Sequence, residues 1–241
     1  MSIIRDKKTC QVDYVRAADR LMAILAEEGI ARLPSVKPQA IETPCGPCNG
    51  LTVPDGHTIC AVDIVRSGGI LLEAVRKVLP DLKTAKILIQ RDEETALPKL
   101  YYSKLPDGIE KLNVVLCDPM LATGGSALTA IEAQDLFHCF ENILFINVVS
   151  CPEGLKALAQ KAPGVRILTC ALDSHLNEVK FIVPGLGDFG CLDALGKSTL
   201  EILLPKLRIY SYILLYCYKV AIAIQMAILM ACLILFCRCW R

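Results

Sequence analysis

Apolar positions recur along this chain in two rhythms. Across residues 12–28, Val15, Ala18, Leu21, Met22 and Leu25 share one face of a 3.6-residue repeat, which predicts an amphipathic helix with Gly29 as its stop. Residues 58–65, 85–90, 114–117, 143–149 and 165–172 are short apolar runs rich in β-branched residues, the pattern of buried strands. Helical stretches at 70–78, 127–137 and 152–160 fall between them. Strands alternating with helices predict an α/β fold with a doubly wound, mostly parallel sheet. Residues 34–50 carry four prolines and read as loop.

The stretch 113–131 organises the rest. An apolar strand ends at Asp118, a loop of small residues with paired glycines spans 121–126, and a helix follows with Leu128, Ile131 and Leu136 for its apolar face. Such a loop suits a sugar phosphate. Glycines let backbone approach an anion, and the helix N-terminus offers free N–H groups and a favourable dipole. Thr123 and Ser126 can donate hydroxyls, and Asp118 can accept from ribose hydroxyls. No Gly-Lys-Ser/Thr closes the loop and no Gly-x-Gly-x-x-Gly precedes it, so neither common nucleotide fingerprint applies. A plain strand–turn–helix joint is the alternative reading.

A second strand–loop–helix unit carries Arg66-Ser67-Gly68-Gly69 at the strand's C-terminal end, where open α/β sheets bind ligands. Arg66 could clamp a diphosphate with its planar fork, or pair with a surface carboxylate. Arg91-Asp92-Glu93-Glu94-Thr95 and Leu100-Tyr101-Tyr102 read as a charged hairpin. Residues 181–190 form a glycine-rich loop whose accessible backbone could read a planar base. Cys45-Gly46-Pro47-Cys48 matches a thioredoxin dithiol in spacing. Asn49-Gly50 and Pro54 oppose the helix that such chemistry needs, so the segment reads as a turn between two extended segments. His57, His138 and His175 are isolated and read as structural.

Asp-Pro-Met-Leu-Ala-Thr-Gly-Gly-Ser at 118–126 resembles the phosphoribosyl-diphosphate loop of uracil phosphoribosyltransferases nearly letter for letter. Val65-Arg66-Ser67-Gly68 looks like that family's diphosphate turn, and residues 181–190 look like its uracil-binding hood. The resemblance implies the type I phosphoribosyltransferase fold, with a β-arm that packs on a second subunit. It implies conversion of uracil and 5-phospho-α-D-ribose 1-diphosphate to UMP and diphosphate, a step of pyrimidine salvage. Asp118, Arg66, Arg91 and Asp188 would be catalytic. Arg66, Arg91, Asp118, Pro119, Met120, Leu121, Ala122, Thr123, Gly124, Gly125, Ser126 and Asp188 would hold the donor. Ile182, Gly187, Asp188 and Phe189 would lie at uracil. Magnesium (Mg2+) is expected on the donor diphosphate, with no direct protein ligands. GTP as effector, a homodimer or homotetramer, and a cytoplasmic location complete what the resemblance implies.

Composition adjusts this picture at one end. Lys and Arg number 26 against 25 acids, which gives no nucleic-acid footprint. Thirteen cysteines without an opening secretory signal favour free thiols. Mean hydropathy is high at +0.45, and the C-terminus explains much of it. The resemblance covers about residues 4–190, so the expected organisation is a 1–190 catalytic domain and a divergent 191–241 tail. Residues 220–237 are uncharged and meet the roughly 18-residue threshold for a membrane span. If the protein meets a membrane it does so only through 209–237; the other reading is that this tail is not a selected segment. A non-catalytic nucleotide-sensing regulator and a membrane-tethered interaction protein are the two rival readings.

Overall fold

The computed structural model describes residues 1–52, 54–91, 98–132 and 140–189, with Arg91 described through its backbone. The 191–241 tail, its 220–237 segment and His138 lie outside them. Among the described residues, no helix is long and apolar enough to cross a membrane.

The centre is a seven-stranded sheet. It contains β3 (Ile59–Val65), β4 (Lys83–Arg91), β5 (Pro98–Lys104), β6 (Asn113–Cys117), β7 (Met120–Leu121), β8 (Ile143–Ser150) and β9 (Arg166–Leu172). The path runs β5-β4-β3-β6-β8-β7, and β9 also pairs with β8. All the pairings are parallel except β4 with β5. Helices α1 (Ser2–Arg5), α2 (Gln11–Ile30), α3 (Gly68–Val78), α4 (Gly125–Glu132) and α5 (Pro152–Lys161) accompany it. Two small hairpins stand apart: β1 (Pro38–Thr43) with β2 (Gly46–Leu51), and β10 (His175–Leu176) with β11 (Ile182–Val183).

Burial explains the arrangement. Every residue of β8 is buried, as a strand covered on both faces requires. On one face α2 and α3 pack with Ile59, Ala61, Val115, Leu144 and Ile146. On the other α4 and Leu158 of α5 pack with Cys60, Val62, Val114, Leu116 and Phe145. Helices on both faces of a mostly parallel sheet make the doubly wound fold that the alternation predicts.

Three details differ from the sequence-based expectations. Helix α2 runs through Gly29 to Ile30 rather than stopping there. A Cβ at Gly29 would come within 3.3 Å of Ile146, so this glycine serves a close helix–strand approach. The glycine-rich loop is also shorter than 121–126, because Gly125 already opens α4, and Met120 and Leu121 form β7 alongside β8. Finally, the loop-like 34–50 stretch contains the β1–β2 hairpin, with Cys45 in its turn and Cys48 paired to Ile41. Both thiols are free and exposed, and neither begins a helix.

Phe145 is fully buried at the middle of β8. Phe145→Ala should cost about 3–5 kcal/mol of stability. Urea unfolding should show this as a lower midpoint with an unchanged slope.

Candidate functional site

Parallel register brings the strand ends to one edge of the sheet. Asp63 of β3 pairs with Cys117, the last residue of β6, and Val65 pairs with Leu88 of β4. Arg66 and Asp118 therefore leave neighbouring strands at the same edge, with Arg91 closing β4 there too. The Val65-Arg66 peptide is cis, and the Arg66 side chain is exposed. The Ser67 hydroxyl donates to Asp118 Oδ1 at 3.4 Å, which joins the two turns. Gly68 sits so close to β6 that a Cβ would lie 2.2 Å from the Cys117 carbonyl oxygen. Only glycine fits there.

The 118–126 loop is fixed by backbone. Pro119 C=O accepts from Val148 and Val149 N–H at 2.8 and 3.1 Å, and Leu121 C=O accepts from Cys151 N–H at 3.1 Å. The Cys151 thiol reaches the Ala122 carbonyl. Gly124 has a φ of +82°, so a left-handed residue turns the chain into α4. The Thr123 hydroxyl accepts from Gly125 N–H at 3.3 Å. Pro119 and Leu121 are buried, so their part in any ligand contact is through backbone. Met120, Ala122, Thr123, Gly125 and Ser126 are half-buried around the helix entrance. Pro98, which pairs with Arg91, would lie 3.1 Å from a Cβ at Gly125. The backbone of Arg91 is thus next to the loop.

Sequence reasoning passed over what supports this loop. A Cβ at Gly154 would lie 2.4 Å from the Ala122 carbonyl oxygen and 2.9 Å from Leu121 Cγ. Helix α5 therefore presses a bare backbone against the loop. Gly154 follows Pro152 at the helix start, and a glycine inside a predicted helix was the available signal.

The loop at 182–189 is held differently. Ile182 and Phe189 are buried in the core, and the Phe189 ring meets Tyr14 edge-on at 5.9 Å. Gly187 and Asp188 are exposed. Gly185 and Gly187 have positive φ, and the Val183-Pro184 peptide is cis. Asp173, at the end of β9, accepts from Arg5 Nη1 and Nη2 at 3.0 and 2.7 Å and from Gly185 N–H at 2.9 Å. Arg5 Nη1 also donates to the Gly185 carbonyl at 3.3 Å. Arg5 and Asp173 were not legible as a pair because 168 residues separate them.

The electrostatics of the edge centre on two acids. Burial pushes the Asp118 carboxyl up to about 7; the Met120 N–H and Ser67 hydroxyl oppose this, and the Asp63 charge adds to it. Asp63 is 3% exposed, and burial raises it while Lys86 opposes. Among the described residues, no group of three His, Cys, Asp or Glu side chains could hold a metal ion.

An unfolded aspartate titrates near ~3.9. Between about pH 4 and 7 the folded chain keeps a proton on Asp118 that the unfolded chain has lost, so stability falls as pH rises through that window. Asp118→Asn removes this dependence. Its melting temperature should exceed that of the native chain by a margin that grows from pH 4 to 7, reaching a few degrees. A constant margin in thermal scans would refute the raised carboxyl.

A family model described as uracil phosphoribosyltransferase matches residues 1–191. The uracil phosphoribosyltransferase of Dictyostelium discoideum is 48% identical over 192 residues, covering 79% of this chain and 88% of that protein. That of Saccharomyces cerevisiae is 46% identical over 190 residues, covering 78% and 87%. Among solved structures, the AQ2163 protein from Aquifex aeolicus superposes with a TM-score of 0.65 at 29% identity, covering 79% of this chain and 90% of that one. With its loop, turn and sheet edge as described, the chain belongs to the uracil phosphoribosyltransferase family.

Proposed function

We propose that this chain transfers the phosphoribosyl group of 5-phospho-α-D-ribose 1-diphosphate to uracil, giving UMP and diphosphate. The observation that carries this reading is the joint between two anion-binding turns at one sheet edge, closed by Ser67 on Asp118. The start of α4 takes the 5-phosphate with the backbone N–H groups of its first turn and the hydroxyls of Thr123 and Ser126. Asp118 accepts from the ribose hydroxyls, and Asp188 faces the same sugar from the base side. Arg66 and Arg91 balance the charge that gathers on the diphosphate as the C1–O bond breaks. Uracil N1 then attacks C1, held against the backbone of Ile182, Gly187 and Phe189 and by Asp188. Positioning supplies the remainder of the rate.

Magnesium fits this edge as an ion carried on the donor's phosphate oxygens, which supply much of its shell. When bound, it would offset charge on the leaving diphosphate. A homodimer or homotetramer built through β5 also fits, because β5 is an edge strand with Leu100, Tyr101 and Tyr102 exposed. GTP as effector, a cytoplasmic location and a 1–190 catalytic unit with 191–241 as appendage complete the proposal. The last is supported by a family match that ends at residue 191.

UMP formation from labelled uracil is the direct assay, and absence of product sinks the reading. Arg91→Ala should slow turnover at least a hundredfold, on the order of one lost transition-state charge contact, with the circular dichroism spectrum unchanged. An unchanged rate removes Arg91 from the site. Asp173→Asn weakens the Arg5 clamp on Gly185. It should raise KM for uracil several-fold more than KM for the donor, which steady-state kinetics with each substrate varied will separate.

A further inference from the structure

One acid in the described core remains without a role. Asp63 interrupts the apolar strand β3, is 3% exposed, and has no hydrogen-bond partner at Oδ1. It faces the Cys117 side of the sheet, beneath the start of α3. A Cβ at Gly68 would lie 2.7 Å from Oδ1, and a Cβ at Gly69 would lie 3.4 Å from Oδ2. Both carboxyl oxygens therefore sit directly under the first two residues of the helix that follows Arg66. The residue just before them, Ser67, donates to Asp118. A single turn of backbone thus touches Asp63 from above and Asp118 from the side.

We propose that Asp63 is a positioning residue of the donor site, whose buried carboxyl seats the 66–69 turn and couples it electrostatically to Asp118. The groups that face Asp63 are few. Lys86 comes from β4, Cys117 from β6, the α3 N-terminus from the turn, and the Asp118 charge from just beyond β6. Burial and the nearby acids hold the Cys117 thiol well above its ordinary range, so it stays neutral. Lys86 is exposed. Asp118 is then the neighbour whose charge changes alongside that of Asp63.

Two carboxyls in a shielded site disfavour joint ionisation, so the ionised form of either holds a proton on the other. The helix N-terminus adds a second constraint. It favours an anion. Ionised Asp63 below and a donor diphosphate above compete for it, whereas neutral Asp63 leaves it to the diphosphate. Donor binding and the charge of the pair are linked in this way.

The kinetic part of this inference rests on the proposed reading of the donor site, and the titration part does not. Asp63→Asn keeps the shape, and Asp63→Val restores an apolar strand should the amide destabilise the fold. Carboxyl-carbon NMR on the ligand-free protein should show the Asp118 midpoint falling in either variant. The acid limb of kcat/KM for the donor should move down with it, while KM for uracil stays put. An Asp118 midpoint that does not move overturns the coupling. A midpoint that moves without the donor limb overturns the role in the donor site. If the native chain forms no UMP, the proposed function fails, and the ligand-free titration still decides whether the two acids are coupled.

Discussion

The closest backbone approach at the sheet edge, Gly68 against the carbonyl oxygen of Cys117, sets the rest of the site. It exists because β3 and β6 run parallel in a register that pairs Cys117, the last residue of β6, with Asp63 near the end of β3. A side chain at Gly68 would lift the start of α3 away from β6. The Arg66 turn would then separate from Asp118, and the Ser67 hydroxyl could not span the gap. Two loops far apart in sequence act as one surface because a missing Cβ lets their backbones meet.

A second approach of the same kind supports the phosphate loop from the opposite face. Gly154 of α5 lies against Ala122 and Leu121, while β8 holds the Pro119 and Leu121 carbonyls. Nearly every hydrogen bond that fixes the loop is made by its backbone carbonyls. The side chains of Thr123 and Ser126 are half-buried at the helix entrance, where Gly125 N–H donates to the Thr123 hydroxyl.

Much of this was legible in the sequence because it is local. The alternation of apolar runs fixes the doubly wound class, and the small residues at 118–126 mark the strand-to-helix turn. What was not legible is non-local or depends on neighbours. Gly29 looks like a helix stop until Ile146 is seen beneath it. Asp63 falls within an apolar run, and nothing in that run shows that its carboxyl lies buried under the start of α3. Ile182 and Phe189 sit in a loop by composition, yet their side chains serve the core. Gly125 and Ser126 read as loop because small residues suit turns, and tertiary packing extends α4 over them.

The Arg5–Asp173–Gly185 clamp joins the first helix of the chain to the last described loop across 168 and 180 residues. Contacts between such distant residues close the largest loops and cost the most chain entropy to form. They also raise contact order, which slows folding. The strand pairings that build the sheet span far shorter stretches of chain. The clamp is therefore the costlier loop to close, while the 118–126 loop is held by β8 and α5 without it.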